Sequence, residues 1–444
     1  MKSGLGWTVA MRWKKGLTEG KALRLAVVAV LALGVAASAG TAHTAAAALP
    51  SGNAAQQWDK IGEDTVVGSG AFQGEGFVYM AYVSEAMDGA VNPGQRNGQN
   101  ADAAVTQAAY DVLVNYFPSQ QANLSALHDA ALAAIPDGAA KRNGIMYGDL
   151  AAAKVIRGRM NDGLMTPIAT TSPYTPLAPA PGVWRLTPAA YAPAQTPWMA
   201  NVRPFILDNT DHFMPPPPPS LQSQEWVNAF NEVESLGAVN SATRTQPETD
   251  TALFYAANVN RQFNLLARTI ATNENLDVPQ TARLLAEVNE VGADAMIAMM
   301  NAKYHYQLWR PVTAIDPGSV HNDGLGPVPG SGDGNLLTIE VPGWRPLLPT
   351  PNHPEYPSAH CTITSAVSEV IAHWMGTDAI NIDLQGNANF SATRHFATVQ
   401  DLVTEVENAR VWAGLHYRFS TIAGAQLGKE VADYDLDHAF HLGG

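Results

Sequence analysis

Apolar positions recur at helical spacing over most of the chain. Between Ala101 and Ala134 they fall at Ala104, Ala108, Val112, Val114 and Tyr116, then at Leu124, Leu127 and Ala131, with Pro118 between the two sets. That pattern predicts two helices joined at a turn, because proline lacks the N–H that a continuing helix needs. Met146–Met160 reads as another helix. Trp226, Phe230, Val233 and Leu236 stand at i, i+4, i+7 and i+10 ahead of Gly237, an amphipathic helix with its stop signal. The longest periodic run starts near Asp277, with Pro279 in its first turn, and carries Leu284, Leu285, Val288, Val291, Ala295 and Met299 toward Lys303. Residues 316–357 are rich in Gly and Pro and read as loop; helical spacing returns at Ser358–Trp374 and Val399–Leu415. Alternating β-branched runs are few and no fixed-period repeat is found. The expectation is an all-α fold, helices bundled around a buried site.

Punctuation divides the chain. Residues 165–219 carry prolines throughout, ending in the run Pro215–Pro219. With fixed φ and few backbone donors, this stretch is expected to cross the surface as an extended connection. It separates an N-terminal helical region, 71–164, from a C-terminal one, 220–444. Residues 40–70 are small and polar and read as a flexible, loosely held segment. Ahead of them, Lys14, Lys15, Lys21 and Arg24 precede an uncharged apolar run, Leu25–Ala37, and the small-residue site Ala37-Ser38-Ala39. This is the pattern of a secretory signal over 1–39, so export from the cell is expected. The run is about 13 residues, too short for a membrane span, and no integral membrane segment is expected after it.

Charge narrows the partners. The chain has 26 Lys+Arg against 40 Asp+Glu, a net −14, which argues against nucleic acid. Any anion must be held locally. The single cysteine, Cys361, excludes a disulfide framework and Cys-rich metal patterns; following His360 in a first helical turn, it points about 100° away and reads as a buried apolar residue.

Three short elements in the C-terminal third place titratable groups in otherwise apolar context. In Lys303-Tyr-His-Tyr-Gln-Leu-Trp-Arg310-Pro311 the two cations are seven residues apart, so on one helix they share a face about 10 Å apart. In Pro357-Ser358-Ala359-His360 a hydroxyl and free backbone N–H groups stand at a helix start, an oxyanion cradle aided by the helix dipole. In Arg410-Val-Trp-Ala-Gly414-Leu-His416 the two side chains are six residues apart, about 240° around a helix, so they converge only if Gly414 ends it. Alone, a Lys and an Arg at this spacing are a solvated face and a Ser before a helix is a cap. Together the elements describe a pocket for a tetrahedral oxyanion, with one coordinating or nucleophilic histidine and one acid–base histidine.

On these residues the chain resembles the vanadium-dependent haloperoxidases, which share their site with the type-2 phosphatidic acid phosphatase superfamily. The family pattern Lys-x6-Arg-Pro, Pro-Ser-Gly-His, Ser-Arg-x5-His-x3-Asp stands here as Lys303…Arg310-Pro311, Pro357-Ser358-Ala359-His360 and Ala409-Arg410…His416…Ser420. The resemblance extends more loosely to Pro181-Gly-Val-Trp184 and Val202-Arg-Pro-Phe205. It implies a bundle fold of that type, two bundles in one chain, and vanadate as cofactor, with phosphate able to occupy the same site. Lys303, Arg310, Arg410, Ser358 and the Ala359 N–H would bind its oxygens, His416 would supply the nitrogen ligand to vanadium, and His360 would be the acid–base group. The partners implied are hydrogen peroxide, halide and a small organic substrate. Position 353 is aromatic in chloroperoxidases and histidine in bromoperoxidases, so His353 leans toward bromide, and Trp309 matches an aromatic that would wall the halide pocket.

Three departures stand out. Ala359 replaces glycine, tolerable only at negative φ; Ala409 replaces serine; Ser420 replaces an aspartate that would orient or charge-balance the site. Two other functions fit the same residues. A secreted acid phosphatase would use His416 as nucleophile, through a phosphohistidine, and His360 as acid. A non-catalytic oxyanion-binding protein is the third.

Overall fold

The computed structural model describes residues 48–91, 98–165, 168, 174–320, 332–386 and 392–440. The expected signal at 1–39 lies outside them. The described residues form helices α1 (Ala54–Gly68), α2 (Gln73–Ala90), α3 (Ala101–Tyr116), α4 (Gln121–Ala133), α5 (Ala139–Gly158), α6 (Gln224–Gly237), α7 (Gln246–Phe254), α8 (Val259–Asn273), α9 (Val278–Tyr306), α10 (Pro311–Ile315), α11 (Ala359–Met375), α12 (Val399–Trp412) and α13 (Arg418–Ala439). The all-α expectation is met. Starts follow capping chemistry: Asn53, Thr245, Asp277 and Thr398 each close a capping box with the residue three positions on.

The predicted turn at Pro118 separates α3 from α4 through a short 3-10 segment. The run from Asp277 becomes α9, the longest helix at 29 residues. It is buried on more than its predicted stripe, with Ala286, Ala293, Ile297 and Met300 also inside. A helix apolar on every side belongs at the centre. Accordingly α9 packs against α2 and α8 on one side and α11 and α13 on the other, and α3 joins α2 to α5. The two helix groups share α9, and residues 46–444 make one compact unit.

Two expectations need correction. Residues 54–68, read as part of a flexible segment, form α1: Trp58 is fully buried and donates to Thr106 (3.1 Å), and Asp59 and Glu63 pair with Arg268 of α8. Buried acids mask the helix's apolar face in sequence, because their cationic partner lies some two hundred residues away. An antiparallel hairpin, β1 (Ile382–Gln385) with β2 (Thr393–Phe396), was also not foreseen. At four residues per strand it is too short to show a periodicity.

The proline-rich connection is irregular with short 3-10 turns, but it is not merely superficial. Trp184, Trp198 and Met199 are buried. The fully buried Asp294 of α9 accepts the N–H groups of Phe205, Ile206 and Leu207 at 2.6, 2.7 and 3.0 Å. Trp184 N–H donates to Gln307 O (2.7 Å) and Trp309 N–H to Gly182 O (2.9 Å). The connection thereby braces the chain just before Arg310.

Candidate functional site

The three motifs converge, though not as helical spacing alone implies. Lys303 lies in the last turn of α9, which stops at Tyr306 because Gln307 takes a left-handed conformation (φ 49°). Arg310 follows as the N-cap of α10. A chain reversal, rather than two turns of one helix, brings Lys303 and Arg310 to the same loop. Lys303 Nζ donates to the carbonyls of Pro354 and Glu355 (2.9 and 2.8 Å); Arg310 Nε donates to His353 O (3.0 Å) and Nη1 to Leu415 O (3.0 Å).

Ser358 is the N-cap of α11, yet its hydroxyl caps nothing. Oγ lies beside the Cys361 thiol without a hydrogen bond to it, while Ser358 N–H donates to Ser420 O of α13 (3.1 Å). Ala359 opens α11 in helical conformation, so its Cβ is accommodated and its N–H stays among the unclaimed donors of a first turn. The concern over glycine at this position is thereby removed.

The third motif turns as Gly414 predicts. After α12 ends at Trp412, Gly414 takes φ +76°, and Leu415 N–H returns to Arg410 O (3.3 Å). A Cβ at Gly414 would sit 2.5 Å from Gly237 O, so space as well as conformation demands glycine. Arg410 and His416, which a straight helix would hold apart, both reach the same cavity.

That cavity, about 340 Å³, is lined by His353, Ala359, His360, Arg410 and His416 on the motif side. Ala71, Phe72 and Gln73, from the entry to α2, and Asn258 and Val259, from the start of α8, form other parts of its wall. None of these wall residues was singled out in sequence; the fold alone brings them here. Phe72 packs on His353, ring centroids 5.7 Å apart. Trp309 does not line the cavity. It stacks on Trp226 (6.3 Å, 25°) in a separate aromatic cluster with Tyr417, which corrects its assignment as a wall of the halide pocket.

Glu355, not among the sequence candidates, is fully buried at the centre of the site. Its Oε1 meets His416 Nδ1 at 2.7 Å and accepts Tyr417 N–H at 3.1 Å. On the other ring nitrogen, His416 Nε2 faces Arg310 Nη1 at 3.2 Å. A guanidinium can only donate, so the pair of contacts fixes the tautomer: the proton sits on Nδ1 and a lone pair on Nε2. His353 Nδ1 lies between Arg310 Nη2 (3.1 Å), which can only donate, and the Pro354 carbonyl (3.2 Å), which can only accept, so these contacts leave the tautomer of this ring open.

Lys303, Arg310 and Arg410 are all buried. Burial holds Lys303 well below the ordinary amine range, with Arg310 adding to it, and pushes both guanidiniums down to about 10. Burial first, then the cations, keeps His353, His360 and His416 well below the usual imidazole value, hence neutral. Burial raises Glu355 to about 7 against the pull of Arg310 and Lys303. Arg310 and Lys303 both act on the Glu355 carboxyl, and Arg410 Nε, Ser358 Oγ and His360 Nε2 are buried without partners. Unsatisfied buried polar groups are costly; Arg410 and His360 line the cavity, while Lys303 and Arg310 are held by the loop that carries His353, another lining residue, so a small anion has room to bind at this wall.

Residues 283–443 match the model of the VCPO second helical-bundle domain. The vanadium chloroperoxidase of Curvularia inaequalis is 24% identical over 293 residues, covering 52% of this chain and 47% of that protein. The chain thus spans about half the length of this curated relative. Among solved structures, a bacterial vanadium-dependent iodoperoxidase superposes with TM-score 0.70 at 20% identity, covering 88% of this chain and 98% of that one. A bacterial vanadium-dependent chloroperoxidase in its holo form gives TM-score 0.64 at 17% identity, covering 86% and 93%. These likenesses establish the fold.

Proposed function

We propose that this chain, which belongs to the vanadium haloperoxidase family, is a vanadate-dependent haloperoxidase that uses hydrogen peroxide to oxidise halide, bromide in preference to chloride, and so halogenates small organic substrates. The observation that carries this reading is the convergence of Arg410, His360 and His416 on one cavity, with Arg410 Nε and His360 Nε2 buried and unpartnered.

The donor set fits vanadate. Lys303, Arg310 and Arg410 would balance its charge, Ser358 Oγ and the Ala359 N–H would bond its oxygens, and His416 Nε2 would be the nitrogen ligand. Bound there, vanadate supplies a Lewis-acidic centre for oxygen transfer from peroxide to halide. The chain's own residues hold and polarise it. Arg310, which faces His416 Nε2 in the protein alone, would give that N–H to a bound anion and leave the Nε2 lone pair available. His360 is neutral, with Nε2 buried and unpartnered, so it can take a proton from the incoming peroxide and return it to the departing hydroxide. The His353 ring lines the cavity beside Phe72, where a ring N–H would suit a halide; this histidine supports the bromide preference. The N-terminal pattern supports export, and no helix of the described residues is long and apolar enough to cross a membrane.

The test uses purified protein stripped of oxyanions. Orthovanadate is titrated while bromide- and peroxide-dependent bromination of a phenolic dye is followed, beside hydrolysis of a phosphomonoester, with His416→Ala as control. Vanadate-dependent bromination lost in H416A is the expected result. Phosphoester hydrolysis inhibited by vanadate, without bromination, would overturn it in favour of a phosphatase. Binding without either turnover would make the chain an oxyanion-binding protein.

A further inference from the structure

Glu355 stands where no motif assigns a residue, yet it touches all three. Its backbone N–H donates to Leu308 O (2.9 Å), its carbonyl accepts Lys303 Nζ (2.8 Å), and its carboxylate holds His416 Nδ1 (2.7 Å) and Tyr417 N–H (3.1 Å). Three residues further on, Ser358 begins the cradle. The family pattern places a carboxylate four positions after the site histidine, where this chain has Ser420. In the fold the Ser420 hydroxyl is a neighbour of the Glu355 carboxylate, though neither Ser420 Oγ nor Glu355 Oε2 has a hydrogen bond of ordinary geometry.

We propose that Glu355 is the positioning residue of this site: by accepting the Nδ1–H of His416 it locks the tautomer and ring orientation that present the Nε2 lone pair to the oxyanion, taking from a different loop the place left by Ser420. This rests on the oxyanion-site reading above. Neutral imidazole carries one N–H; in the anion-free protein Arg310 Nη1 opposes a proton on Nε2 while Glu355 holds it on Nδ1, and once an anion claims the guanidinium only Glu355 keeps the proton off Nε2, where it blocks ligation. Outer-shell acceptors of this kind are worth about 10–100-fold in affinity at histidine ligands. The backbone bonds to Leu308 and Lys303 fix the carboxylate's origin, so ring orientation is inherited from the first and second motifs rather than from the helix that follows His416.

The experiment compares wild type, Glu355→Ala, Glu355→Gln and the double variant Glu355→Ala/Ser420→Asp, each checked for folding by circular dichroism and thermal melting. Two readouts are taken: vanadate and inorganic phosphate affinity by calorimetry, and the imidazole nitrogen NMR signals of His416, assigned through H416A and recorded without oxyanion in an Arg310→Met background, which removes the donor at Nε2. E355A is expected to move His416 from pure Nδ1–H to a mixture of tautomers and to weaken vanadate binding 10–100-fold; E355A/S420D is expected to regain most of both. Should E355A not fold, Glu355→Met, of similar volume and without a comparable acceptor, gives the tautomer measurement, while E355Q, whose amide oxygen can still accept the Nδ1–H, is expected to keep the wild-type tautomer. An unchanged tautomer and affinity in folded E355A or E355M, or a double variant no better than E355A, overturns the proposal. Wild type that binds neither anion overturns the oxyanion reading instead, while the anion-free tautomer measurement still decides the role of Glu355.

Discussion

The start of α11 can hold Ser358 and Ala359 in place only if it cannot drift away from α13, and Gly424→Ala probes that contact. A Cβ at Gly424 would lie 2.5 Å from Ser358 O, 3.1 Å from Ser358 N and 3.2 Å from Thr362 Oγ1. Carbon–oxygen contacts between non-bonded atoms do not persist much below 3.0 Å, so the α11 start must retreat by about 0.5 Å from its 2.5 Å contact. The two nearest atoms are Ser358 backbone, tied further by the Ser358 N–H bond to Ser420 O (3.1 Å), and the third, Thr362 Oγ1, is held by its own bond to Ser358 O (3.0 Å). Overpacking of this kind costs ~1–3 kcal/mol of stability. The same half-ångström is about the tolerance within which a preorganised site keeps its geometry, so vanadate affinity should fall about tenfold. Gly428→Ala is the matched comparison. Its Cβ would lie 2.1 Å from Thr362 O, a worse overlap placed one turn further along α13, away from the cradle. The expected pattern is crossed: G428A loses more stability, G424A more affinity. Urea unfolding and calorimetric titration read the two quantities. Wild-type stability and affinity in G424A would refute the idea that the α11–α13 contact sets the cradle, and equal affinity losses in both variants would show that the effect is merely global.

Three further outcomes follow from buried groups. Burial pushes the Glu75 carboxyl up to about 7, opposed only by the Phe72 N–H at 3.2 Å. A folded pKa above the unfolded one means stability that is full below the unfolded value of about 4.5 and lost as pH rises toward 7. Glu75→Gln should therefore stabilise the protein above pH 7 by up to ~3 kcal/mol and leave it unchanged near pH 4, as measured by urea midpoints at both pH values. Asp294→Ala strips three backbone N–H groups of their acceptor; it is expected to cost ~3 kcal/mol and to open the 174–219 connection to limited proteolysis. Phe72→Ala, on the cavity wall, should change the KM for halide or organic substrate, whereas Trp309→Phe, buried away from the cavity, should alter thermal stability and leave KM in place.

What the chain discloses about itself depends on the range over which the information is written. Helix identities were legible because apolar spacing, caps and proline are local: Pro118, Asp277 and Gly414 each act on their own neighbours. The charged motif residues were legible because Lys303, Arg310 and Arg410 interrupt apolar surroundings, where a cation needs a reason. Their arrangement was less so. One residue, Gln307 with φ 49°, replaces the expected two helical turns between Lys303 and Arg310 with a reversal, and its sequence does not advertise that conformation. Trp309 was misplaced for the same cause, since reversing the chain sends it toward Trp226 rather than the cavity.

The far wall of the cavity lay beyond local reading altogether. Phe72 and Asn258 are ordinary residues at helix starts, and only the packing of α2 and α8 onto α9 gives them a ligand to face. Glu355 is the more instructive case. It lies between Pro354 and Tyr356 in a loop without periodicity, and its partner His416 is 61 residues away. A signal was nevertheless present in the charge count: three cations gathered at one buried point require a nearby carboxylate, and the loop ahead of Ser358 contains one. The substitution at Ser420, a deficit when the third motif is considered by itself, then has a different meaning. A motif records which positions usually supply a group, whereas the chemistry requires only that the group occupy the right volume. Here that volume, against Nδ1 of His416, is filled from another loop.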